Sequence, residues 1–268
     1  MPPVPTPPRD LLSEGHYARK QIFSRNRIVR WSHGSRFALA RELAGRAARG
    51  RLLDYGCGDG TFIAMIQGMF EQVVGTDADA GQLRDCAERL GGLPGVRFLP
   101  IPELAAPSCA GAFDVLVCME VLEHCPTDVQ ARILGELDRL AAAGGRVIVS
   151  VPIETGPTLA VKQAVRATAS LFGLSEYAGR ERYRAGEFLR MLFAGAGSSI
   201  ARAETTSTAE DGTVMRFHGH KGFNWRTLER AIAARFVVER RLYSPVPFTG
   251  AWLNSQVWFV CRKAGSVR

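Results

Sequence analysis

Residues 54–60 read Asp-Tyr-Gly-Cys-Gly-Asp-Gly, and they stand between the apolar pair Leu52-Leu53 and a helix-like run at 61–70. A strand that ends in closely spaced glycines and passes straight into a helix lets backbone N–H groups approach a ligand, because glycine has no Cβ in the way. This stretch therefore predicts a strand–turn–helix unit that binds a nucleotide-type cofactor.

The spacing of the glycines narrows the class of cofactor. A dinucleotide-binding turn has the pattern G-x-G-x-x-G, whose third glycine allows close helix packing beneath a pyrophosphate. Here the pattern is G-x-G-x-G, and Thr61 stands where that third glycine belongs. A second strand-like run ends in Asp77, 23 positions after Asp54, near the ~20-residue offset at which an acid binds ribose hydroxyls. We expect a cofactor with an unphosphorylated ribose and no pyrophosphate.

Strand-like and helix-like segments alternate along the chain, as a doubly wound α/β sheet requires. The predicted strands are 51–55, 73–77, 96–99, 113–118 and 146–151, and the predicted helices are 61–70, 79–90 and 126–142. Pro126 suits a first helical turn, and Gly144-Gly145 suits a helix end. Two later runs, 236–243 and 255–262, are joined by a connection with proline and glycine and predict a final antiparallel pair.

The chain is expected to form one domain after a short tail, since 268 residues with 46% hydrophobic content can build one large α/β core. The predicted parts are a disordered tail (1–10), an N-terminal helical cap (11–50), a cofactor-binding half (51–152), a lid or substrate insertion (153–220) and the C-terminal strands (221–264). In the insertion, Val161 and Val165 share one side of a helix and Lys162 lies elsewhere. Such a helix is either a lid packed on its own core or an interfacial helix that contacts a membrane.

Composition limits the compartment and the partners. The proline-rich opening is neither a secretory signal nor an anchor, and no stretch reaches the ~18 apolar residues of a spanning helix. The six cysteines lack C-x-x-C spacing and are expected to be small buried side chains in a reducing cytoplasm. Only four of the 34 basic residues are lysines. The net charge of +8 is therefore read as a solvated surface, and no nucleic-acid partner is expected from it.

Four segments, in order and spacing, resemble the class I S-adenosylmethionine-dependent methyltransferases. They are LLDYGCGDGTF (52–62), VVGTD (73–77), FDVLVCMEVLEH (113–124) and GGRVIVSVP (144–152). The resemblance runs from about Arg51 to Val151. It implies a Rossmann-like, seven-stranded α/β sheet with an antiparallel last strand, and S-adenosylmethionine as the cofactor.

Within that family, Met119–His124 (MEVLEH) is similar to the post-strand motif of the ubiquinone-biosynthesis O-methyltransferases. The resemblance implies that an arginine 18 positions before the first-strand acid binds the cofactor carboxylate, and Arg36 has that offset. It places the carboxylate over N–H groups of the glycine turn, the ammonium at Asp54, the ribose at Asp77 and the adenine by Ala78. Ile101 stands where the family often has an acid. The predicted cofactor residues are Arg36, Asp54, Gly56, Cys57, Gly58, Asp77, Ala78, Ile101 and Met119.

The pattern Glu120-x-x-Glu123-His124 supplies the candidate catalytic residues. Without a metal, His124 is a general base near neutrality, Glu123 orients it or caps the next helix, and Glu120 lines the pocket. With His218 or His220 added, the same groups form a mixed oxygen and nitrogen site for Mg²⁺, Mn²⁺ or Zn²⁺. The metal set is Glu120, Glu123, His124 and His220, and bacterial small-RNA 3′-end 2′-O-methyltransferases show a similar E-x-x-E-H.

Other side chains are interpreted more simply. Tyr17 and His16 are cap residues, read as packing or as groups that close the cleft. His33 has no partner visible in the sequence. Three tryptophans are expected in the core or in a pocket wall, namely Trp225, Trp252 and Trp258.

The function expected from these features is methyl transfer to an oxygen of a small or lipid-like phenolic metabolite. Two alternatives stay open: a metal-dependent RNA 3′-end 2′-O-methyltransferase and a non-catalytic protein that binds S-adenosylmethionine. The acceptor, the methylated atom, the metal, the oligomeric state and a peripheral membrane contact are not decided by the sequence.

Overall fold

A computed structural model describes residues 15, 17–23, 27–46, 50–171, 182–208, 212 and 214–264. The predicted disordered tail at 1–10, His16 and residues 172–181 of the insertion lie outside the described residues. Within the described part, a seven-stranded sheet of order β3-β2-β1-β4-β5-β9-β8 forms the centre of the molecule. The strands are β1 (Arg51–Tyr55), β2 (Gln72–Thr76), β3 (Val96–Phe98), β4 (Phe113–Met119), β5 (Ala141–Pro152), β8 (Phe236–Ser244) and β9 (Gln256–Lys263).

Strand direction follows the connections between the strands. The first five strands are parallel neighbours, and β9 runs antiparallel to both β5 and β8. Helical crossovers join the parallel strands, whereas β8 and β9 are joined by residues 245–255, which include only the 3₁₀ turn Pro247–Thr249. The predicted Rossmann-like α/β fold with an antiparallel last strand is confirmed.

Seven α-helices are described, and most pack on one face of the sheet or the other. They are α1 (Arg27–Gly45), α2 (Thr61–Ile66), α3 (Ala80–Leu90), α4 (Thr127–Leu140), α5 (Pro157–Leu171), α6 (Ala185–Leu192) and α7 (Trp225–Ala233). A π-helical turn, Ala18–Ile22, precedes α1, and a 3₁₀ turn, Leu122–His124, follows β4.

Side chains alternate between two apolar clusters, because successive strand residues point to opposite faces. Leu52 belongs to the cluster that α1 and α2 cover, together with Phe37 and Phe62. Leu53 belongs to the cluster on the other face, which α4 and α7 cover. The central strands β1, β4, β5 and β9 are buried on both faces, so they contain nearly continuous buried runs, whereas the edge strand β8 is largely exposed.

Some element boundaries differ from the predicted ones. Helix α2 ends at Ile66, because Gly68 two residues later has φ +72°, a left-handed conformation that ends the helical turn. Helix α4 ends at Leu140 and β5 begins at once, so Gly144-Gly145 lies inside the strand rather than at the helix end. The extra residues are absorbed by a register shift between β4 and β5.

The insertion contains more structure than its helical pattern predicts. A hairpin of β6 (Glu204–Thr208) and β7 (Val214–His218) follows α6. Sequence reasoning missed this hairpin, because β6 (ETTST) is polar and the short β7 (VMRFH) shows no regular alternation of apolar and polar residues.

Helix α5 does not bury the apolar side that a lid packed on its own core requires, and the alternative of an interfacial helix stays a prediction. Val161 and Val165 are exposed, the latter by 61%, whereas Leu159 is buried and Lys162 turns inward. The polar side chain turns inward because a buried carboxylate, Glu154, pairs with it at 2.8 Å.

Trp225 and Trp258 are buried in the core, as expected. Trp252 is 68% exposed, so its predicted place in the core or in a pocket wall is wrong. It lies in the short connection between β8 and β9, away from both faces of the sheet.

Candidate active site

The carboxyl ends of β1, β4 and β5 open into a cavity of about 560 Å³. The π-helical turn and α1 form one wall of this cavity, and the start of α5 forms another. Loops at the carboxyl edge of a parallel sheet are where α/β proteins bind ligands. The cavity is therefore the candidate active site.

The glycine turn forms the floor of the cavity on the β1 side. Gly56 has φ +82°, and a Cβ built there would lie 2.3 Å from Val121 Cγ2. Gly58 has φ +53°, and its Cβ would meet only Gln82 Oε1 at 3.8 Å. Both positions have the left-handed conformation that glycine adopts without strain. At Gly56 there is also no room for a side chain.

The N–H groups of this turn are used within the protein. Gly56 and Cys57 donate to the Thr76 carbonyl at 2.8 and 3.0 Å, and Gly58 donates to Asp77 Oδ2 at 2.8 Å. The expectation that exposed N–H groups of the turn face a bound carboxylate is therefore not met at residues 56–58, and the contribution of the helix N-terminus stays a prediction. These N–H groups bond to the end of β2 and to the residue that follows it, because the turn lies beside Thr76 and Asp77.

Asp54 is buried at the end of β1 with one carboxylate oxygen unpartnered. Its exposure is 1%, and Oδ1 has no hydrogen-bond partner among the described residues. Burial, and secondarily the charge of Asp77, raises the pKa of Asp54 to about 8. A buried acid of this kind is stabilised by a cationic ligand group placed beside it.

The residues predicted for the sugar and the adenine lie at the sheet edge beside the cavity, outside its lining. Asp77 is half-buried and accepts the N–H groups of Gly58 and Asp79. Ala78 is exposed and Ile101 is half-buried. The assignment of these three residues to the cofactor stays a prediction.

Arg36 crosses the cavity from α1. It is only 6% exposed, so the reading of a solvated surface charge is excluded. Its Nη1 lies 3.1 Å from Glu120 Oε2, and Ser150 Oγ donates to Glu120 Oε1 at 3.1 Å. Met119 lines the cavity just before Glu120. The structure thus brings these predicted residues together at the ends of β4 and β5.

Glu123, His124 and His220 form a cluster on the other side of the cavity. Their ligand atoms all lie within 4.8 Å of one another. Glu123 is fully buried, and neither of its carboxylate oxygens has a hydrogen-bond partner among the described residues. Burial, with the nearby Glu120 charge, raises the pKa of Glu123 well above its usual range. Glu120 is engaged by Arg36 and Ser150 and is not a member of this cluster, and His218 also lies outside it.

The ring of His124 has a defined orientation. Its Nδ1 lies 2.9 Å from the His218 carbonyl, which can only accept, so Nδ1 carries the proton. Nε2 then faces His220 Nε2 at 3.3 Å and Glu123 Oε1 at 3.7 Å. Burial is the main cause that lowers the pKa of His124 below its ordinary value. His124 therefore presents a neutral, basic nitrogen to the cavity at pH 7.

Sequence reasoning missed Glu154 and Lys162 as site residues. Glu154 is fully buried just beyond β5, with Lys162 Nζ at 2.8 Å and His220 Nδ1 at 3.7 Å. The sequence offered one signal for Glu154. It follows shortly after β5, just as Glu120 follows β4. Both side chains line the cavity on the side opposite the glycine turn.

Tyr17 and His33 also line the cavity, from the N-terminal cap. Tyr17 Oη lies 2.7 Å from His33 Nδ1, so the histidine that lacked a visible partner in the sequence has one in the structure. Tyr17 stands at the start of the preceding helical turn, and sequence spacing alone does not predict how that turn packs against α1.

Comparison with known proteins relates the middle of the chain to one family. Residues 53–147 match a family described as a methyltransferase domain. A ubiquinone biosynthesis O-methyltransferase of Bordetella pertussis is 38% identical over 120 residues, which cover 43% of this chain and 48% of the relative. One of Acinetobacter baumannii is 33% identical over 114 residues, covering 41% and 46%. The match spans about half the length of these curated relatives.

Solved structures extend the similarity of fold over most of the chain. The N-methyltransferase NodS of Bradyrhizobium japonicum, in complex with S-adenosyl-L-homocysteine, has a TM-score of 0.53 at 13% identity and covers 95% of both chains. A geranyl diphosphate methyltransferase in complex with GPP and sinefungin has a TM-score of 0.53 at 16% identity. The similarity covers 86% of this chain and 77% of the other. At such identities the likeness concerns the fold.

Proposed function

We propose that this chain is a class I S-adenosylmethionine-dependent methyltransferase, which its match to a methyltransferase domain and its similarity to ubiquinone biosynthesis O-methyltransferases support. In this proposal it methylates an oxygen of a small or lipid-like, hydroxylated acceptor, with a phenol as the leading candidate. The observation that carries the proposal is a single cavity that is lined by two chemically distinct sets of residues. In this proposal one set, the glycine turn and the buried Asp54, forms the end that binds the cofactor. The other set, His124 with the buried acids Glu123 and Glu154, forms the end that binds the acceptor.

The first end fits the amino-acid part of S-adenosylmethionine. The unpartnered Oδ1 of Asp54 is suited to the ammonium group. Arg36 is suited to the carboxylate, since the N–H groups of the turn are already bonded. In this proposal Asp77 binds the ribose hydroxyls, and Ala78 and Ile101 flank the adenine. Gly56, Cys57, Gly58 and Met119 form the surface on which the methionyl chain lies.

The second end fits the removal of a proton from the acceptor. The cofactor supplies a sulfonium-activated methyl group, so the protein's task is alignment, deprotonation and exclusion of water. The acceptor oxygen forms a bond to the methyl carbon, and the carbon–sulfur bond breaks with its electron pair going to sulfur. The acceptor proton passes to Nε2 of His124. A positioned base of this kind contributes ~10²–10⁴-fold in rate.

A divalent metal at Glu123, His124 and His220 is the alternative to this base, because Nε2 of His124 cannot both bind a metal and accept the acceptor's proton. The residues fit, because a fully buried carboxylate without partners faces two imidazole nitrogens. His124 also gives its other ring N–H to a backbone carbonyl, as metal-bound histidines do. Mg²⁺, Mn²⁺ or Zn²⁺ held there would lower the pKa of a bound hydroxyl.

This cluster also favours a second candidate function, 2′-O-methylation of an RNA 3′ end, since that chemistry needs a ribose hydroxyl beside a metal. The two candidates differ in salt dependence. Binding to RNA weakens steeply with salt as counterions are released from phosphates. Binding of a phenol is insensitive to salt.

The surface near the cavity mouth supports an apolar acceptor and a peripheral contact with a membrane. Thr158 Oγ1 donates to the carbonyls of Ala251 and Trp252, which joins α5 to the β8–β9 connection. That connection exposes Phe248 by 89% and Trp252 by 68%, a few residues before the cavity-lining Ser255. No helix among the described residues has the length and apolar character needed to cross a bilayer. Sedimentation with phosphatidylcholine vesicles, compared between the protein and Trp252→Ser, tests the contact.

The experiment that tests the function uses S-adenosylmethionine labelled in its methyl group and an extract of the source cells. The expected result is one labelled product that carries an O-methyl group and is extracted into organic solvent. Label in RNA would select the second candidate. Tight cofactor binding without any labelled product would select a non-catalytic binding protein.

A further inference from the structure

Arg36 is held from several sides. Its guanidinium lies 3.1 Å from Glu120 Oε2 and 2.9 Å from His33 Nδ1. The rings of Tyr17 and Phe37 flank it, with centroids 5.5 Å from Cζ in each case. These contacts fix the plane of the guanidinium fork and leave other N–H groups of the fork for a ligand in the cavity.

The position of the proton on His33 follows from its two partners. Arginine can only donate, so His33 Nδ1 accepts the hydrogen bond from Arg36 Nη2. Tyr17 Oη lies 2.7 Å from the same nitrogen, and because Nδ1 has a single lone pair, the hydroxyl can donate only by sharing that lone pair with Arg36. Nδ1 therefore carries no proton and the ring is neutral. Burial favours this neutral form by lowering the pKa of His33, against the opposing charge of Glu120.

Tyr17 links this arrangement to the glycine turn. Its backbone N–H donates to Asp59 Oδ2 at 2.7 Å. A chain of polar contacts thus crosses the cavity wall from Asp59, through Tyr17 and His33, to Arg36 and Glu120. All five residues line the cavity. This chain of contacts holds Arg36, its cationic member, in a fixed position from which it can bind an anion.

We propose that His33 and Tyr17 are positioning residues that hold Arg36 in place for the carboxylate of the cofactor's amino-acid end. The inference rests on the proposed function and adds two residues to it. An anion at this end has no free N–H donors from residues 56–58, because these donate to Thr76 and Asp77. A displaced Arg36 would therefore weaken the binding of the carboxylate and leave the nucleoside end unaffected.

The experiment compares two ligands by titration calorimetry. S-adenosylhomocysteine has the amino-acid end, and 5′-methylthioadenosine lacks it. The variants are His33→Leu, which removes the acceptor, His33→Asn, which keeps an acceptor near the place of Nδ1, and Tyr17→Phe, which removes only the hydroxyl. Circular dichroism and the melting temperature report whether each variant is folded.

For His33→Leu we expect about tenfold weaker binding of S-adenosylhomocysteine, the loss typical of a hydrogen bond to a charged group. Tyr17→Phe should show a loss in the same direction, and His33→Asn should recover most of the affinity. Binding of 5′-methylthioadenosine should change by less than about twofold. Equal losses for both ligands, or unchanged affinity in the folded variants, would overturn the positioning role alone. An unaltered protein that binds neither ligand would overturn the proposed function and this inference with it.

Discussion

Arg36 and Glu120 form an ion pair at 3.1 Å that joins the N-terminal helix to the end of β4. Glu120 has φ +55°, the one positive φ at a non-glycine position among the described residues. Its backbone N–H donates to the Ser150 carbonyl at 2.9 Å, and Ser150 Oγ contacts its carboxylate. A left-handed glutamate costs energy and persists only where its surroundings fix it. The strain therefore aims the carboxylate at Arg36.

Replacing Arg36 by lysine should weaken cofactor binding although the charge is kept. Lysine cannot present a planar fork to Glu120, His33 and a ligand together. We expect about tenfold weaker binding of S-adenosylhomocysteine by calorimetry. Arg46→Lys is the matched control, because Arg46 is exposed just after the same helix and, among the residues that the structure describes, pairs only with Glu42. Equal affinities of the two variants would contradict the role of Arg36.

Asp54 should release a proton when the cofactor binds. Its pKa of about 8 means that the free protein holds it protonated at pH 7. A neighbouring ammonium favours the charged form and lowers that pKa, so binding expels up to about one proton and affinity rises with pH until about 8. Calorimetry in buffers of different ionisation enthalpy measures the proton number. Asp54→Asn should release no proton. Proton uptake by the unaltered protein on binding would contradict the claim that Asp54 loses a proton to the solvent.

The metal part of the proposal predicts a thermal shift that depends on Glu123. A cation at a hundred times its dissociation constant stabilises a protein by about 2.7 kcal/mol, which is ~5 °C for a chain of this size. We expect this shift with at least one of Mg²⁺, Mn²⁺ and Zn²⁺. Glu123→Gln should abolish it, and Glu120→Gln should keep it, because Glu120 is engaged by Arg36 and Ser150. Identical melting curves with all three ions would remove the metal from the proposal.

When no metal is bound, His124 should act as the base, and kcat should begin to fall at a lower pH than it would with an ordinary histidine. Because burial lowers the pKa of His124 below its ordinary 6.5, the neutral form persists at lower pH than for a free histidine. We expect kcat to fall only below that value, and His124→Ala to lower kcat by ~10²-fold or more while cofactor affinity is kept. His218→Ala is the control, since only the backbone carbonyl of His218 contacts His124. Comparable losses in both variants would reject His124 as the base.

The sequence predicted those parts of the fold that depend on local pattern. The strands from β1 to β5 and the last pair follow from apolar runs, and the glycine turn follows from the spacing at 56–60. The orientation of α5 was not predictable, because Lys162 turns inward only to meet Glu154, a residue eight positions earlier that folding buries. His33 and Tyr17 meet through the packing of two helical segments, and the hairpin β6–β7 pairs a polar strand with a short strand that lacks regular hydrophobic alternation.

Substituting Gly56 by alanine tests the turn on which the site is built. The new Cβ would lie 2.3 Å from Val121 Cγ2 at φ +82°. Left-handed strain of about 1–2 kcal/mol and overpacking of about 1–3 kcal/mol together predict a loss of roughly 2–5 kcal/mol in the free energy of unfolding. Urea denaturation measures that loss. Gly34→Ala in α1 is the matched control, since its Cβ meets nothing within 4 Å and alanine should stabilise the helix by about 0.5–1 kcal/mol. A Gly56→Ala variant as stable as the unaltered protein would show that the turn tolerates a side chain and that Val121 can move away from it.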